Sequence, residues 1–208
     1  MDVFVKIVRR DSDEARAAEA LQHFGDRAAV KVLGSADGKL FLERIRPGTP
    51  LGLDDLAVAH LCDVAVALHA SGMPNNPWPT VEDWGRGFDW YRACGDRSIS
   101  AAAVDRAAQM FAELAASQGA RCLLHGDLHH NYILFDENRG WLAIDPKGVI
   151  GEPAYEFGAA LRQRGVDQQR CIGIICERLG LDRQRVQGWA DAQAVLSAIW
   201  KIEDDGRP

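Results

Sequence analysis

CLLHGDLHHNYILFDENRGWLAIDPKG, residues 122–148, decides how the rest of the chain is read. Three short apolar runs, CLLHG (122–126), YILF (132–135) and WLAID (141–145), alternate with polar connections, and DENRG (136–140) is a turn by composition. Asp127 stands just after the first run and Asp145 ends the third. A β-hairpin made of the second and third runs brings both carboxylates to one end of a small sheet.

Working outward, the chain before this segment divides in two. VFVKIV (3–8) reads as a strand, and Asp11 with Glu14 has the form of a capping box opening a helix. Ala18, Leu21 and Phe24 give that helix a face, and Gly25 ends it. AAVKVLG (28–34) and KLFLERI (39–45) are strands joined by the Asp37-Gly38 turn, a hairpin signal. RPGTP (46–50) breaks regular structure and marks a lobe boundary. Residues 54–70 form a helix that is apolar nearly all round (Leu56, Val58, Leu61, Val64, Val66, Leu68), which predicts burial on most sides. MPNNPWPT (73–80) is a loop by its prolines, and a second helix spans about 99–118. Beyond the hairpin, EPAYEFGAALRQR (152–164) restarts helix with Pro153 in its first turn, and two more helices run near 167–179 and 182–202. The fold class is α+β, a small sheet with one helix followed by a helical body that holds a β-hairpin.

Composition narrows the function. With 208 residues the chain can bury a sizeable core, and 47% hydrophobic with 26% charged residues is ordinary for a globular protein. A net charge of −6 argues against a nucleic-acid surface and leaves room for an acidic cleft that takes a cationic small molecule. The five cysteines lack the close spacing of zinc sites and sit among apolar neighbours, which suits a reducing compartment. The first residues, MDVFVKIVRR, are not a signal peptide, and no apolar run reaches the ~18 residues that cross a bilayer; the expected location is cytoplasmic.

Phosphoryl transfer to an alcohol uses few parts: an acid that orients the hydroxyl, a lysine on the phosphates, and magnesium held by hard oxygen ligands. The segment 122–148 supplies carboxylates of this kind on short loops between apolar strands. LLHGDLHH (123–130), GWLAIDPKGVIGEPAYE (140–156) and LERIRPGTPL (42–51) together resemble the aminoglycoside phosphotransferases, in particular the streptomycin kinase branch, the aminoglycoside/hydroxyurea antibiotic resistance kinases. The likeness runs from the first strand to AQAVLSAIWKIED near the C-terminus. It implies a protein-kinase-like fold with a partial N-terminal lobe at 1–46, a hinge at 42–46 and a helical lobe at 47–208. It also implies an enzyme that moves the γ-phosphate of ATP onto a hydroxyl of a small substrate, with ATP and Mg2+ as cofactors.

The same resemblance assigns residues. Asp127 would be the catalytic acid and Asp145 a magnesium ligand. Lys6 would contact the α- and β-phosphates, with Glu14 as its partner and Glu19 as the rival for that place. Main-chain groups at Glu43 and Ile45 would bind adenine. His125, His129 and His130 are read as parts of the loop and not as a zinc cluster, and His69 as a core histidine. Lys147 faces either the phosphates or solvent. Trp78, Trp84 and Trp90 lie on the substrate side or pack in the core.

Two departures set further expectations. The family carries two strands before the lysine strand, and this chain opens near the third. Either its true start lies upstream or its lobe is short, and the exposed sheet edge invites a homodimer that covers it. Secondly, the loop asparagine that binds metal comes one residue early: Asn131 precedes Tyr132, which holds the ligand position, and a phenol is a poor magnesium ligand. Asn131 could take its place only through a one-residue slip, which would turn the YILF strand over, so a weakened second ligand is expected. A non-catalytic kinase-like binding protein is the alternative reading.

Overall fold

The computed structural model describes residues 2–8 and 13–206. Strands β1 (Val3–Ile7), β2 (Val32–Ala36) and β3 (Lys39–Glu43) form an antiparallel sheet in the order β1-β3-β2. The β2–β3 hairpin turns at Asp37 and Gly38, whose φ angles of 52° and 72° are the left-handed pair that a tight two-residue turn requires. A 3-10 turn (Asp13–Arg16) leads into helix α1 (Ala17–Phe24), which buries Ala17, Ala20, Leu21 and Phe24.

RPGTP does more than break structure. Residues Pro47–Pro50 form strand β4, paired antiparallel with β6 (Ile133–Asp136), and β6 pairs in turn with β7 (Gly140–Ala143). Glycine and proline hide this strand locally because the pairing comes from a segment more than eighty residues away.

Helix α2 (Asp55–His69) is capped by Asp54, whose side chain accepts from Ala57 N–H at 2.8 Å. Its apolar circumference is not buried all round: Leu56 is 65% and Val66 52% exposed, while Leu61, Cys62, Ala65 and Leu68 face the core. Neighbours on one side only decide its burial. Two short helices follow, α3 (Val81–Gly85) and α4 (Gly87–Cys94), the first opened by a full capping box between Thr80 and Asp83. Helix α5 (Ala101–Ala116) precedes strand β5 (Cys122–Leu124), which pairs with β8 (Val149–Gly151). A 3-10 segment (Pro153–Phe157), α6 (Gly158–Leu161), α7 (Gln168–Leu179) and α8 (Arg183–Asp204) complete the chain.

The core between α5 and α8 is aromatic. Phe111 meets Trp189 edge-on at 5.1 Å between centroids, and Tyr155 meets Trp189 at 4.9 Å. β5 and β8 are wholly buried, so the loops that leave their ends are anchored from beneath. Among the described residues no helix is long and apolar enough to cross a membrane.

Candidate active site

Strand β5 ends at Leu124, His125 follows it, and from there the chain turns through Gly126 at φ +84° into Asp127. A side chain at Gly126 has no room: an added Cβ would lie 2.6 Å from the Trp84 ring. Trp84 thus packs on the loop itself, edge-to-face with Trp200 at 5.4 Å.

His125 joins the two acid loops. It is fully buried, its Nδ1 accepts from Asp127 N–H at 3.3 Å, and its Nε2 lies 2.8 Å from the Ile144 carbonyl. With Nδ1 accepting, Nε2 carries the proton and donates it, so the ring is neutral; burial holds its pKa below the usual histidine value. The His125 carbonyl accepts from Lys147 N–H at 2.9 Å and Gly148 N–H at 3.1 Å. One histidine therefore fixes Asp127 from one side and the residues flanking Asp145 from the other. Asp145 itself has φ +63°, a left-handed conformation uncommon outside glycine and tolerated by aspartate. Such backbone strain concentrates at functional loops.

Asp145 is ion-paired with Lys6, which reaches it from β1. The Glu14 side chain lies outside the described residues. Its rival Glu19 bonds to Arg16 at 2.7 Å and Asn76 at 3.4 Å. Glu43 donates its main-chain N–H to Lys31 at 3.0 Å, its carboxylate accepts from Arg139 at 2.6 Å, and Ile45 is buried.

Asp127 bonds to Arg162, Nη2 to Oδ1 at 2.8 Å, and its Oδ2 lies 4.0 Å from His129 Nε2. Burial, with the neighbouring His130 and Arg162, pushes His129 down to about 4, so it is neutral at pH 7. A 3-10 turn (His130–Tyr132) closes the loop. Tyr132 stacks on His129 at 4.3 Å and lies near parallel to His125 at 6.1 Å, so its ring flanks the histidine that bridges both loops. Asn131 is exposed, and among the described residues no hydrogen bond joins its amide to Asp145. Nor does any group of three or more His, Cys, Asp or Glu there have the makings of a metal cluster.

Glu156 is the functional residue that sequence reasoning missed. It is 1% exposed, and it accepts from His125 N–H at 2.8 Å and Gly126 N–H at 2.9 Å. His69, read as a core histidine, faces the same carboxylate at 3.2 Å. No local pattern betrays this role, since EPAYEF reads only as a helix start.

Trp78 ties the Asp145 loop to α1. Its ring lies 3.6 Å beneath the Arg16 guanidinium, its Nε1–H donates to Asn76 at 3.1 Å, and it covers Gly148. Gly148 has φ +78°, and a Cβ there would lie 2.5 Å from the Trp78 ring. Gly148→Ala is expected to destabilise the protein by about 2–4 kcal/mol, the sum of left-handed strain and overpacking, read by urea unfolding.

A family model described as aminoglycoside/hydroxyurea antibiotic resistance kinase matches residues 2–206. The streptomycin 3''-kinase of Klebsiella pneumoniae is 33% identical over 224 aligned positions, covering 98% of this chain and 81% of that protein. The streptomycin 6-kinase of Streptomyces glaucescens is 37% identical over 107 positions, covering 47% of this chain and 34% of that protein. Among solved structures, a choline/ethanolamine kinase family protein from Mesorhizobium loti superposes with a TM-score of 0.76 at 16% identity, covering 99% of this chain and 75% of that one. At that identity the likeness speaks for the fold, which is protein-kinase-like.

Proposed function

Because the chain belongs to the aminoglycoside/hydroxyurea antibiotic resistance kinase family, we propose that it transfers the terminal phosphoryl group of ATP to a hydroxyl of an aminoglycoside such as streptomycin. The observation that carries this reading is the His125 bridge, which holds the Asp127 loop and the Lys6–Asp145 pair in one site.

In the proposed reaction Asp127 orients the acceptor hydroxyl and takes its proton. The hydroxyl oxygen forms a bond to the γ-phosphorus while the bond from that phosphorus to the β-phosphate oxygen breaks, and ADP leaves. Lys6 moves from Asp145 to the α- and β-phosphates, with Glu14 as its proposed anchor. The Glu43 N–H is already donated to Lys31, so the carbonyl of Glu43 and the N–H of Ile45 are the groups offered to adenine.

The donor set fits magnesium in part. Asp145 is a hard carboxylate ligand, whereas the loop turns the Tyr132 ring inward and leaves the Asn131 amide exposed. Asp145 would hold the ion, with Asn131 as a weak second ligand at most, and the bound ion would neutralise phosphate charge.

The reading includes a division into lobes at 1–46 and 47–208, with the hinge at 42–46. It also includes a cytoplasmic location, supported by five cysteines that are all unpaired. A homodimer joined along β1 is supported by Phe4 at 56% and Ile7 at 76% exposure.

The test is phosphotransfer from ATP to streptomycin and related aminoglycosides, in the presence of magnesium. A phosphorylated product is expected. No turnover, with Asp127→Ala indistinguishable from the parent chain, would overturn the reading.

A further inference from the structure

We infer that Arg162 is a positioning residue of the phosphotransfer, holding the Asp127 carboxylate in place and offsetting the negative charge that Asp127 and the incoming phosphate bring together. The inference rests on the role proposed above for Asp127.

Three observations carry it. The first is the bond itself, Nη2 to Oδ1 at 2.8 Å between side chains that are 23% and 19% exposed. Solvent is largely kept from this pair, so it is less screened than a surface ion pair. The second is the charge of the loop. Residues 127–133 read DLHHNYI, with no lysine or arginine. Lys6, the cation from β1, is paired with Asp145 in the neighbouring loop.

The third observation is where Arg162 comes from. It follows α6, its N–H donating to the Gly158 carbonyl at 3.3 Å. Six residues earlier in the same segment, Glu156 accepts the main-chain N–H groups of His125 and Gly126. One segment, 153–162, therefore grips the loop twice: Glu156 on its backbone and Arg162 on its reacting side chain.

The chemistry explains the need. A hydroxyl held by Asp127 and poised for attack brings phosphorus to within about 6 Å of the carboxylate. Two anionic groups at that distance repel. A guanidinium bonded to one of them removes much of that repulsion without leaving the site, and its bond to Oδ1 helps to hold the carboxylate rotamer. Arg162 acts through Asp127 here, and its charge matters as much as its bond.

Arg162→Gln and Arg162→Lys separate these roles. Both would be assayed for phosphotransfer to streptomycin, for ATP binding by calorimetry, and for thermal midpoint. Arg162→Gln, which keeps a donor and loses the charge, is expected to lower kcat by about 100-fold, to weaken ATP binding by a much smaller factor, and to leave the thermal midpoint nearly unchanged. Arg162→Lys restores the charge and is expected to recover about tenfold of that loss. Activity of Arg162→Gln within about threefold of the parent chain overturns the inference while leaving the proposed function standing. So does a lysine variant as poor as the glutamine variant, with both melting early, which marks a structural role. A parent chain with no turnover overturns the proposed function and this inference together.

Discussion

Asp127→Asn is expected to lower kcat for phosphotransfer by about 1,000-fold while ATP still binds. The amide keeps the shape of the carboxylate and can still accept a hydrogen bond from the acceptor hydroxyl. It cannot take the proton or hold it as the new bond to phosphorus forms. The loop should remain in place, because its main chain is held by Glu156 and His125 and not by the Asp127 side chain. Arg162 loses an anionic partner in a place that solvent reaches only in part, but the asparagine amide oxygen still accepts its hydrogen bond. The thermal midpoint should therefore fall only modestly. Single-turnover kinetics with labelled ATP, beside calorimetry for the nucleotide, separates the two effects. A variant that turns over at the parent rate would show that Asp127 is not the acid. A variant that loses ATP binding would place it with the nucleotide instead.

Legibility followed the range of the interaction that fixes each feature. The β2–β3 hairpin was readable because Asp37 and Gly38 carry their own turn chemistry, and both take positive φ. The helices read at 54–70, 99–118, 167–179 and 182–202 begin at Asp54, Ser100, Asp167 and Asp182, each a side-chain cap bonded to its own first turn. Two short helices from Val81 to Cys94 went unread, although the Thr80–Asp83 capping box was available as a signal. The β4 strand was hidden by proline and glycine, because β6 supplies its partner. The exposed flanks of α2 were hidden for a related reason: apolarity does not say which side meets a neighbour.

The candidate site divides in the same way. Asp127 and Asp145 announce themselves as acids ending apolar runs, and the hairpin between them is local. Glu156 and Arg162 do not, since their meaning lies in a loop about thirty residues earlier in the chain. Asn131 and Tyr132 lie between these cases. The misplaced asparagine was visible in the residues, but only the stack of Tyr132 on His129 shows which of the two turns inward.

Glu156→Gln is expected to destabilise the protein by about 3–5 kcal/mol at pH 7 and to cut kcat/KM by about 100-fold in the molecules that remain folded. The carboxylate, itself out of solvent, accepts two main-chain N–H groups and faces the partly buried His69. An amide has one accepting oxygen, and its NH2 would confront one of those N–H groups donor to donor. One buried donor is then orphaned, and the turn that aims Asp127 relaxes. The charge also has a pH signature. Burial pushes the Glu156 pKa up, but the His69 bond and charge and the Gly126 N–H outweigh it, so the carboxyl ends below its ordinary value of 4.5. A folded pKa below the unfolded one means stability that is present above about pH 4.5 and is lost as pH falls through the folded value. The parent chain loses this contribution in acid, and the glutamine variant has none to lose. Their unfolding free energies should differ by a constant amount between pH 7 and 5 and converge below pH 4.5. His129, whose shift owes nothing to Glu156, acts earlier: held at about 4 against an ordinary 6.5, it costs stability as pH falls across that interval, at up to about 1.4 kcal/mol per unit. Urea unfolding of both proteins from pH 7 to 3.5 reads both windows. A gap that stays constant into acid would mean that the lost charge is not what Glu156 contributes, and a gap under about 1 kcal/mol at pH 7 would mean that the loop does not depend on it.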